Sequence, residues 1–422
     1  MMVETEDKGW YKWVVLGMLT LVYTFNFIDR QILVILAEPI KAELNLTDTH
    51  LGWLTGLAFA AIYVILGIPL ARYADRSNRK NIISACLAIW SAMTAISGMA
   101  GNFVQLLLAR IGVGIGEAGC SPPSHSIISD YFPQKKRATA LSIYSVGIYL
   151  GILLGYVIGG VIAKHYGWRV AFFSIGIPGI IFAVITYLFI REPIKGQSDE
   201  STDIKDIPFM DVLRYLMTKK TFIYISLGAG LNTFITYGVG NFLPSFLQRV
   251  HDIDIVQAAI VLGLATGIGG MIGTFGGGIM ADTLQNKDKR WYMWIPLIGG
   301  TLNILPSLVM IFSSNAVLVQ AMTFFTSAFT AFYLGPCLAV SHSLVNAKMR
   351  ALTSSIFFFV LNLIGLGLGP LSIGILSDIF EPTYGNLSLR YAFISTFMIG
   401  IMSMIFFYLA SRHYRKDLEQ VI

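Results

Sequence analysis

Runs of about twenty apolar residues, nearly free of charge, recur along almost the whole of this chain. Crossing roughly 30 Å of hydrocarbon takes about 20 such residues at 1.5 Å each in a helix. By that measure twelve crossings lie at roughly 11–37, 50–72, 81–99, 103–129, 139–163, 169–190, 222–248, 256–282, 292–313, 316–343, 353–379 and 389–411. Backbone polar groups in lipid must be satisfied within their own segment, so each run is predicted to be a helix. Only 13% of the residues are charged, against about 25% in soluble domains. A soluble fold is excluded.

Most connections are short, which makes neighbouring helices antiparallel. The exception is 191–221, rich in charge (Arg191, Glu192, Asp199, Glu200, Lys205, Lys219, Lys220). It divides the chain into 1–190 and 222–422, six helices each, and is expected to be a cytoplasmic linker. With both termini cytoplasmic, inner segments carry 23 Lys and Arg and outer loops five: Lys41, Lys164, Arg169, Arg249 and Arg390. That asymmetry is the positive-inside pattern. The net charge of +6 then faces anionic inner-leaflet lipid, and no nucleic-acid partner is implied. Met1 to Gly9 has no apolar core before a cleavage site, so the first helix is expected to stay as a membrane anchor. Cys86, Cys120 and Cys337 fall in apolar runs, so neither a disulfide nor a metal site is expected, and no cofactor is implied.

The two halves carry matching signposts. Asp75 follows the second run and Asp282 the eighth, 207 residues apart. Ser124-His125-Ser126 closes the fourth run and Ser341-His342-Ser343 the tenth; the two His are 217 apart. A basic turn follows each, Lys135-Lys136-Arg137 and Lys348-Met349-Arg350, and then a glycine-rich helix. Four matches in order argue for duplication. The fold expected is an all-α membrane protein of two pseudo-symmetric six-helix bundles, with a substrate site at the repeat interface near the bilayer midplane.

Ala71-Arg72-Tyr73-Ala74-Asp75-Arg76-Ser77-Asn78-Arg79-Lys80 resembles the Gly-x-x-x-Asp-Arg-x-Gly-Arg-Lys turn of the major facilitator superfamily, with both family glycines replaced. The resemblance covers nearly the whole chain. It implies a cytoplasmic charge clamp at Asp75, Arg76, Arg79 and Lys80, with Arg137, Asp282 and Arg350 as further gating positions. Asn26-Phe27-Ile28-Asp29-Arg30, Arg110 through Ala118, Asp130-Tyr131-Phe132-Pro133 and Gly369-Pro370 through Asp378 are similar to the Spinster-like group. Members of that group are implicated in export of sphingolipids and lysophospholipids, so the resemblance implies an amphiphilic substrate. In families with this fourth helix the counterpart of Arg110 is implicated in proton transfer. Gly147, Gly151, Gly155 and Gly159 repeat every four residues, a spacing that suits close helix packing. The family's antiporter motif falls here with Gly-Pro, and this chain has Gly155-Tyr156 instead.

Four ionisable residues lie well inside predicted crossings: Asp29, Arg30, Arg110 and Glu117. A charge at membrane depth costs several kcal/mol unless paired or wetted, so each is a candidate functional residue. At 1.5 Å per residue Asp29 lies about 25–27 Å from the inner end of its helix, and Arg110 about 10 Å from the outer surface. Their depths match, and Asp29 or Glu117 is placed to neutralise Arg110. Asp29, Glu117 and Arg110 are therefore the expected proton-coupling residues; the structural alternative is a static ion-pair cluster. Arg30 suits recognition of an anionic head group. In the second half Asn232, Thr236, Tyr237, Tyr333 and Asn362 are expected to line a largely apolar wall, unless they only bond between helices. With Arg30, Arg110 and Glu117 they form the expected substrate site.

The reading is a monomeric carrier of a small-molecule or lipid substrate, with protons and the bilayer as its other partners. The second reading is a proton-coupled exporter of hydrophobic drugs or small organic anions. An intramembrane enzyme would need a nucleophile with its base. Ser124-His125-Ser126 is the nearest candidate, but it sits at a helix end and is echoed in the other half. A non-transporting sensor or scaffold is the remaining class. Short loops and 422 residues favour a bacterial inner membrane.

Overall fold

The computed structural model describes residues 9–194 and 208–420, save the side chains of Ile68, Ala71, Arg72, Asp75, Ala138 and Ala347. Among the described residues there is helix and no strand. Ten crossings are separate apolar helices or helix runs: α1 Tyr11–Ile35, α2 Asp48–Gly67 (its helix running on to Arg76), α3 Arg79–Ser97, α4 Phe103–Tyr131, α5 Gln134–Tyr166, α6 Trp168–Phe189, α7 Lys220–His251, α8 Ile255–Leu284, α9 Trp291–Phe312 and α10 Ala316–Ser343. The last stretch, Arg350–Glu419, has 70 residues, about 105 Å of helix and far more than one crossing needs. It turns at Gly385, where φ is +54°, giving α11 (350–384) and α12 (Ser388–Glu419). Twelve crossings result, as the sequence predicts.

Some ends differ from expectation. The first run continues to 37 by hydropathy, but the helix breaks at Leu36 and a separate short helix, Ala37–Leu44, follows. Lys135, Lys136 and Arg137 form the first turn of α5 rather than a turn before it.

The chain packs into two compact units. One holds residues 1–33 with 62–203, the other 34–61 with 204–422. Residues 34–61 precede most of the first half in sequence yet pack with the second.

In the first unit, glycines on α5 let α1 approach closely. A Cβ on Gly147 would lie 2.6 Å from the Thr20 carbonyl oxygen, and one on Gly155 2.9 Å from Gln31 Cβ. The four-residue glycine repeat is thus a packing seam, as its spacing suggests. In α4, Gly112 meets Met93 and Gly116 meets the Trp90 backbone, so α3 and α4 are nearly in backbone contact.

In the second unit α2, α8 and α11 each contain a π-helical turn, at Trp53–Leu57, Gly263–Gly269 and Asn362–Leu368. Such turns cluster where a helix is bent or used. Two of them meet: a Cβ on Gly56 would lie 3.0 Å from the Gly367 carbonyl oxygen.

The glycine seam makes a testable claim. Gly151→Val would drive its side chain into Phe27 and the Thr24 carbonyl, destabilising the protein by about 1–3 kcal/mol through overpacking. Thermal unfolding in detergent should show this loss, while Gly17→Val, with nothing within 4 Å of its added carbon, stays near the parent.

Candidate functional site

Asp29, Arg110 and Glu117 are each no more than 2% exposed and all belong to the first unit. A buried charge needs a partner in close geometry, since its desolvation is otherwise uncompensated. The partners divide unambiguously. Arg110 Nη2 donates to Asp29 Oδ2 at 3.3 Å. Arg30 donates to Glu117 Oε2 from both Nε and Nη2 at 2.7 Å. The alternative left open in the sequence closes on Asp29 for Arg110. Arg30, whose guanidinium suits an anionic head group, pairs with Glu117, because α1 sets it facing that carboxylate. Its guanidinium also lies 5.1 Å from the Phe27 ring and 5.2 Å from Tyr63, within cation–π range.

A third contact was not legible in the sequence. Thr94 of α3 donates its hydroxyl to Asp29 Oδ1, and Thr94 is 1% exposed. A lone Thr in an apolar helix carries no sequence signal.

Two pairs of opposite charge make the cluster formally neutral, yet it is incompletely bonded. Arg110 Nε and Nη1 and Glu117 Oε1 are buried with no hydrogen-bond partner among the described residues. Native interiors leave few such atoms, and each asks for an explanation.

The second unit brings some of its expected residues together and not others. Asn232 Nδ2 donates to the Thr330 carbonyl at 3.1 Å, and Thr233 Oγ1 lies 2.9 Å from the Tyr333 hydroxyl. Asn232 and, through Thr233, Tyr333 thus lie at the contact of α7 with residues 330–333 of α10. Thr236 bonds the Asn232 carbonyl in its own helix and is exposed. Tyr237 is half-buried, and Asn362 opens the π-helical turn of α11. Asn241 bonds the Thr55 carbonyl.

Of the expected gating residues, Arg79 is the most enclosed, at 1% exposure. It donates to Asp130 and Ser126 on α4, to Glu192 at 2.6 Å and to the Pro193 carbonyl. The Lys80 amide donates to Glu192 and its ammonium to the Tyr187 carbonyl. This charge centre binds α3 to α4 and to the segment after α6; Asp130 and Glu192 were not singled out as its partners. Arg76 and Arg350 are exposed, and Arg137 bonds the Phe132 carbonyl at 3.4 Å. The side chain of Asp75 lies outside the described residues, as do Met1–Lys8 and 195–207 of the linker. Asp282 accepts from the Tyr292 hydroxyl at 2.8 Å.

A second charge cluster went unrecognised because its members read as outer-loop charges. Arg249, at the end of α7, grips Asp48 at 2.6 and 2.7 Å and Glu38 at 2.7 and 2.8 Å. Asp48 also accepts from Lys41 and Ser377. Asp378 of α11 accepts the Asp48 and Thr49 amides at 2.9 and 2.8 Å, an anion at a helix N-terminus. All of these residues lie in the second unit, and they fix 34–61 to α7 and α11.

The Ser-His-Ser segments are structural. Ser124 donates to the Cys120 carbonyl and Ser126 accepts from Arg79. His125 stands edge-on to Tyr144, and His342 meets the Ser354 hydroxyl at 2.6 Å.

Apolar helices long enough to cross a membrane, twelve among the described residues, mark an integral multi-pass membrane protein, and the buried charge pairs of its first unit suit a transporter. The chain belongs to the Major Facilitator Superfamily, whose family model matches residues 19–306, and within it the chain is Spinster-like. A bacterial homologue of the human lysosomal transporter Spinster, solved in an inward-facing conformation, matches with a TM-score of 0.90 at 33% identity, covering 98% of this chain and 99% of that one. An MFS-type efflux pump of Mycolicibacterium smegmatis is 32% identical over 96% of this chain and 94% of its own length. A sphingosine-1-phosphate transporter of Xenopus tropicalis is 25% identical over 96% and 82%. Proteins of this family are transporters and not enzymes.

Two outcomes follow from the polar contacts. Asp48→Ala leaves Arg249 buried with half its partners and should destabilise the fold by about 3–5 kcal/mol, read as a lowered unfolding temperature in detergent. At the turn between α8 and α9, the hydrogen bonds from Arg290 hold the Asp288 carboxyl down to about 2, with Arg415 assisting. A carboxyl depressed from 3.8 contributes stability above its ordinary value and loses it as pH falls through the folded one. The protection of amides in this turn, taken relative to their intrinsic exchange rate at the same pH, should therefore fall toward pH 2, and Asp288→Asn should abolish that fall.

Proposed function

We propose that this chain is a secondary active transporter that moves a small amphiphilic or anionic solute, such as a lysolipid or a sphingosine-phosphate-like molecule, by alternating access coupled to protons. The observation that carries it is the pair of buried carboxylate–guanidinium contacts, Asp29–Arg110 and Glu117–Arg30. Each carboxylate meets a guanidinium that favours its ionised form, while the apolar surroundings favour the neutral, protonated form. Each carboxyl is therefore poised to take up a proton when its partner turns elsewhere.

Arg30 supplies the link to substrate. It grips Glu117 through one oxygen, and Glu117 Oε1 has no partner among the described residues. An anionic head group would compete with Glu117 for the same guanidinium. When it wins, Glu117 takes up a proton; when it leaves, Glu117 releases the proton and regains Arg30. Arg110, with Nε and Nη1 unbonded among the described residues, exchanges in the same way with Asp29. Asn232, Thr236, Tyr237, Tyr333 and Asn362 supply the weaker polar contacts to the solute. Asp75, Arg76, Arg79, Lys80, Arg137, Asp282 and Arg350 gate the cycle. The division into bundles 1–190 and 222–422 with linker 191–221, a monomeric state, cytoplasmic termini and a bacterial inner membrane complete the proposal; the 23-to-5 distribution of Lys and Arg supports the orientation.

The second reading is a proton-coupled exporter of hydrophobic drugs or small organic anions. The similarity to the mycobacterial efflux pump over 96% of the chain favours it. Both readings share the coupling site and differ in cargo.

Purified protein in vesicles containing a pH-sensitive dye separates these outcomes. With sphingosine 1-phosphate as probe, proton flux should fall at least about tenfold in Asp29→Asn and in Glu117→Gln while binding persists. Undiminished flux in both variants assigns the carboxyls to packing. Ethidium driving flux where sphingosine 1-phosphate does not selects the drug-exporter reading.

A further inference from the structure

Thr94 stands where one hydroxyl meets two acceptors. Its Oγ1 is within hydrogen-bond distance of Asp29 Oδ1 and lies 2.9 Å from the Trp90 carbonyl oxygen one turn back in α3. A threonine hydroxyl has one proton to donate and two lone pairs to accept with. Only one of the two oxygens can receive that proton at a time.

The chemistry of a carboxyl decides which. Ionised, Asp29 only accepts, and the Thr94 proton points to it. Protonated, Asp29 becomes a donor; its O–H then points to Thr94 Oγ1, whose own proton turns to the Trp90 carbonyl. In the ionised state the Trp90 carbonyl keeps its backbone bond within the α3 helix, so neither state strands a polar atom, and the interchange needs only rotation of the hydroxyl about the Thr94 Cβ–Oγ1 bond, with no movement of helices. In a helix, Thr is suited to it, because its hydroxyl readily bonds the carbonyl one turn earlier.

We propose that Thr94 is a positioning residue for proton coupling, a hydrogen-bond switch that lets Asp29 change protonation state without stranding a buried polar atom. The inference rests on the reading that Asp29 exchanges a proton. The charged groups acting on Asp29 are Arg110 of α4 and Arg30 of its own helix, and the Glu117 carboxyl of α4 feels the Asp29 charge. None of them offers a hydroxyl that both donates and accepts. Arg110 is a donor only and can serve the ionised state alone.

The test compares Thr94→Val, which keeps the shape and removes the hydroxyl, with Thr94→Ser, which keeps the hydroxyl. The Asp29 carboxyl band is followed by infrared difference spectroscopy against pH in the reconstituted full chain, with Asp29→Asn identifying the band. No substrate is required. In Thr94→Val the pH midpoint of that band should be displaced by about one unit, the tenfold change that loss of a charge-assisted hydrogen bond implies. Its carboxyl stretch should also move to the frequency of a free acid. Thr94→Ser should restore both. A merely structural role would change the unfolding temperature and leave the band in place. An unchanged midpoint and frequency in a folded Thr94→Val overturns the switch while leaving Asp29 as the coupling carboxyl. No Asp29 band titrating in the native chain, together with intact proton flux in Asp29→Asn, overturns the coupling reading itself and the switch with it.

Discussion

Placing a charge among apolar helices is costly unless an opposite charge meets it, and this chain meets that demand twice within its first unit. Asp29 with Arg110, and Glu117 with Arg30, leave a neutral set of four. The arrangement is neither wholly stable nor wholly strained. Removing one partner of a buried pair costs several kcal/mol, so the pairs hold in the resting structure. Yet three polar atoms remain unbonded, and the set keeps a capacity to rearrange. A cluster that served packing alone would be cheaper to build from apolar side chains of the same volume.

Close backbone approach is what puts those charges together. Without Gly112 and Gly116, α3 could not lie this closely against α4. Without the glycines of α5, α1 would be held off, and the position of Asp29 and Arg30 would shift with it. Small residues are used this way in membranes because apolar burial gives helices little reason to associate there. The glycines set the geometry and the charges use it.

The second unit solves a related problem differently. One of its charge clusters, joining residues 38–48 to the end of α7, is gathered on Arg249. The residues between the helices are as constrained as those within them: Asp48 takes bonds from Arg249, Lys41 and Ser377 while its own amide is fixed by Asp378. Nearby, α2 and α11 meet at their π-helical turns. Bonds of this density account for residues 34–61 packing with the second half of the chain rather than the first.

Apolar run length determined the twelve crossings, since nothing but a helix of about twenty residues satisfies its backbone across lipid. The same scarcity of charge made Asp29, Arg30, Arg110 and Glu117 conspicuous, and glycine spacing marked the α5 seam. Pairing was another matter. Which carboxylate takes Arg110, and that Arg30 faces Glu117, depends on helix rotation, which hydropathy does not encode. Thr94 and Asp48 were silent for a related reason: a threonine or a loop carboxylate is ordinary by composition and becomes special only through neighbours far away in sequence. The Leu36 break and the division at 33 and 61 likewise carry no signal in hydropathy. Sequence decided what must be in the membrane, because solvation acts on each segment by itself; tertiary structure decided which charges meet, because that depends on how the segments pack.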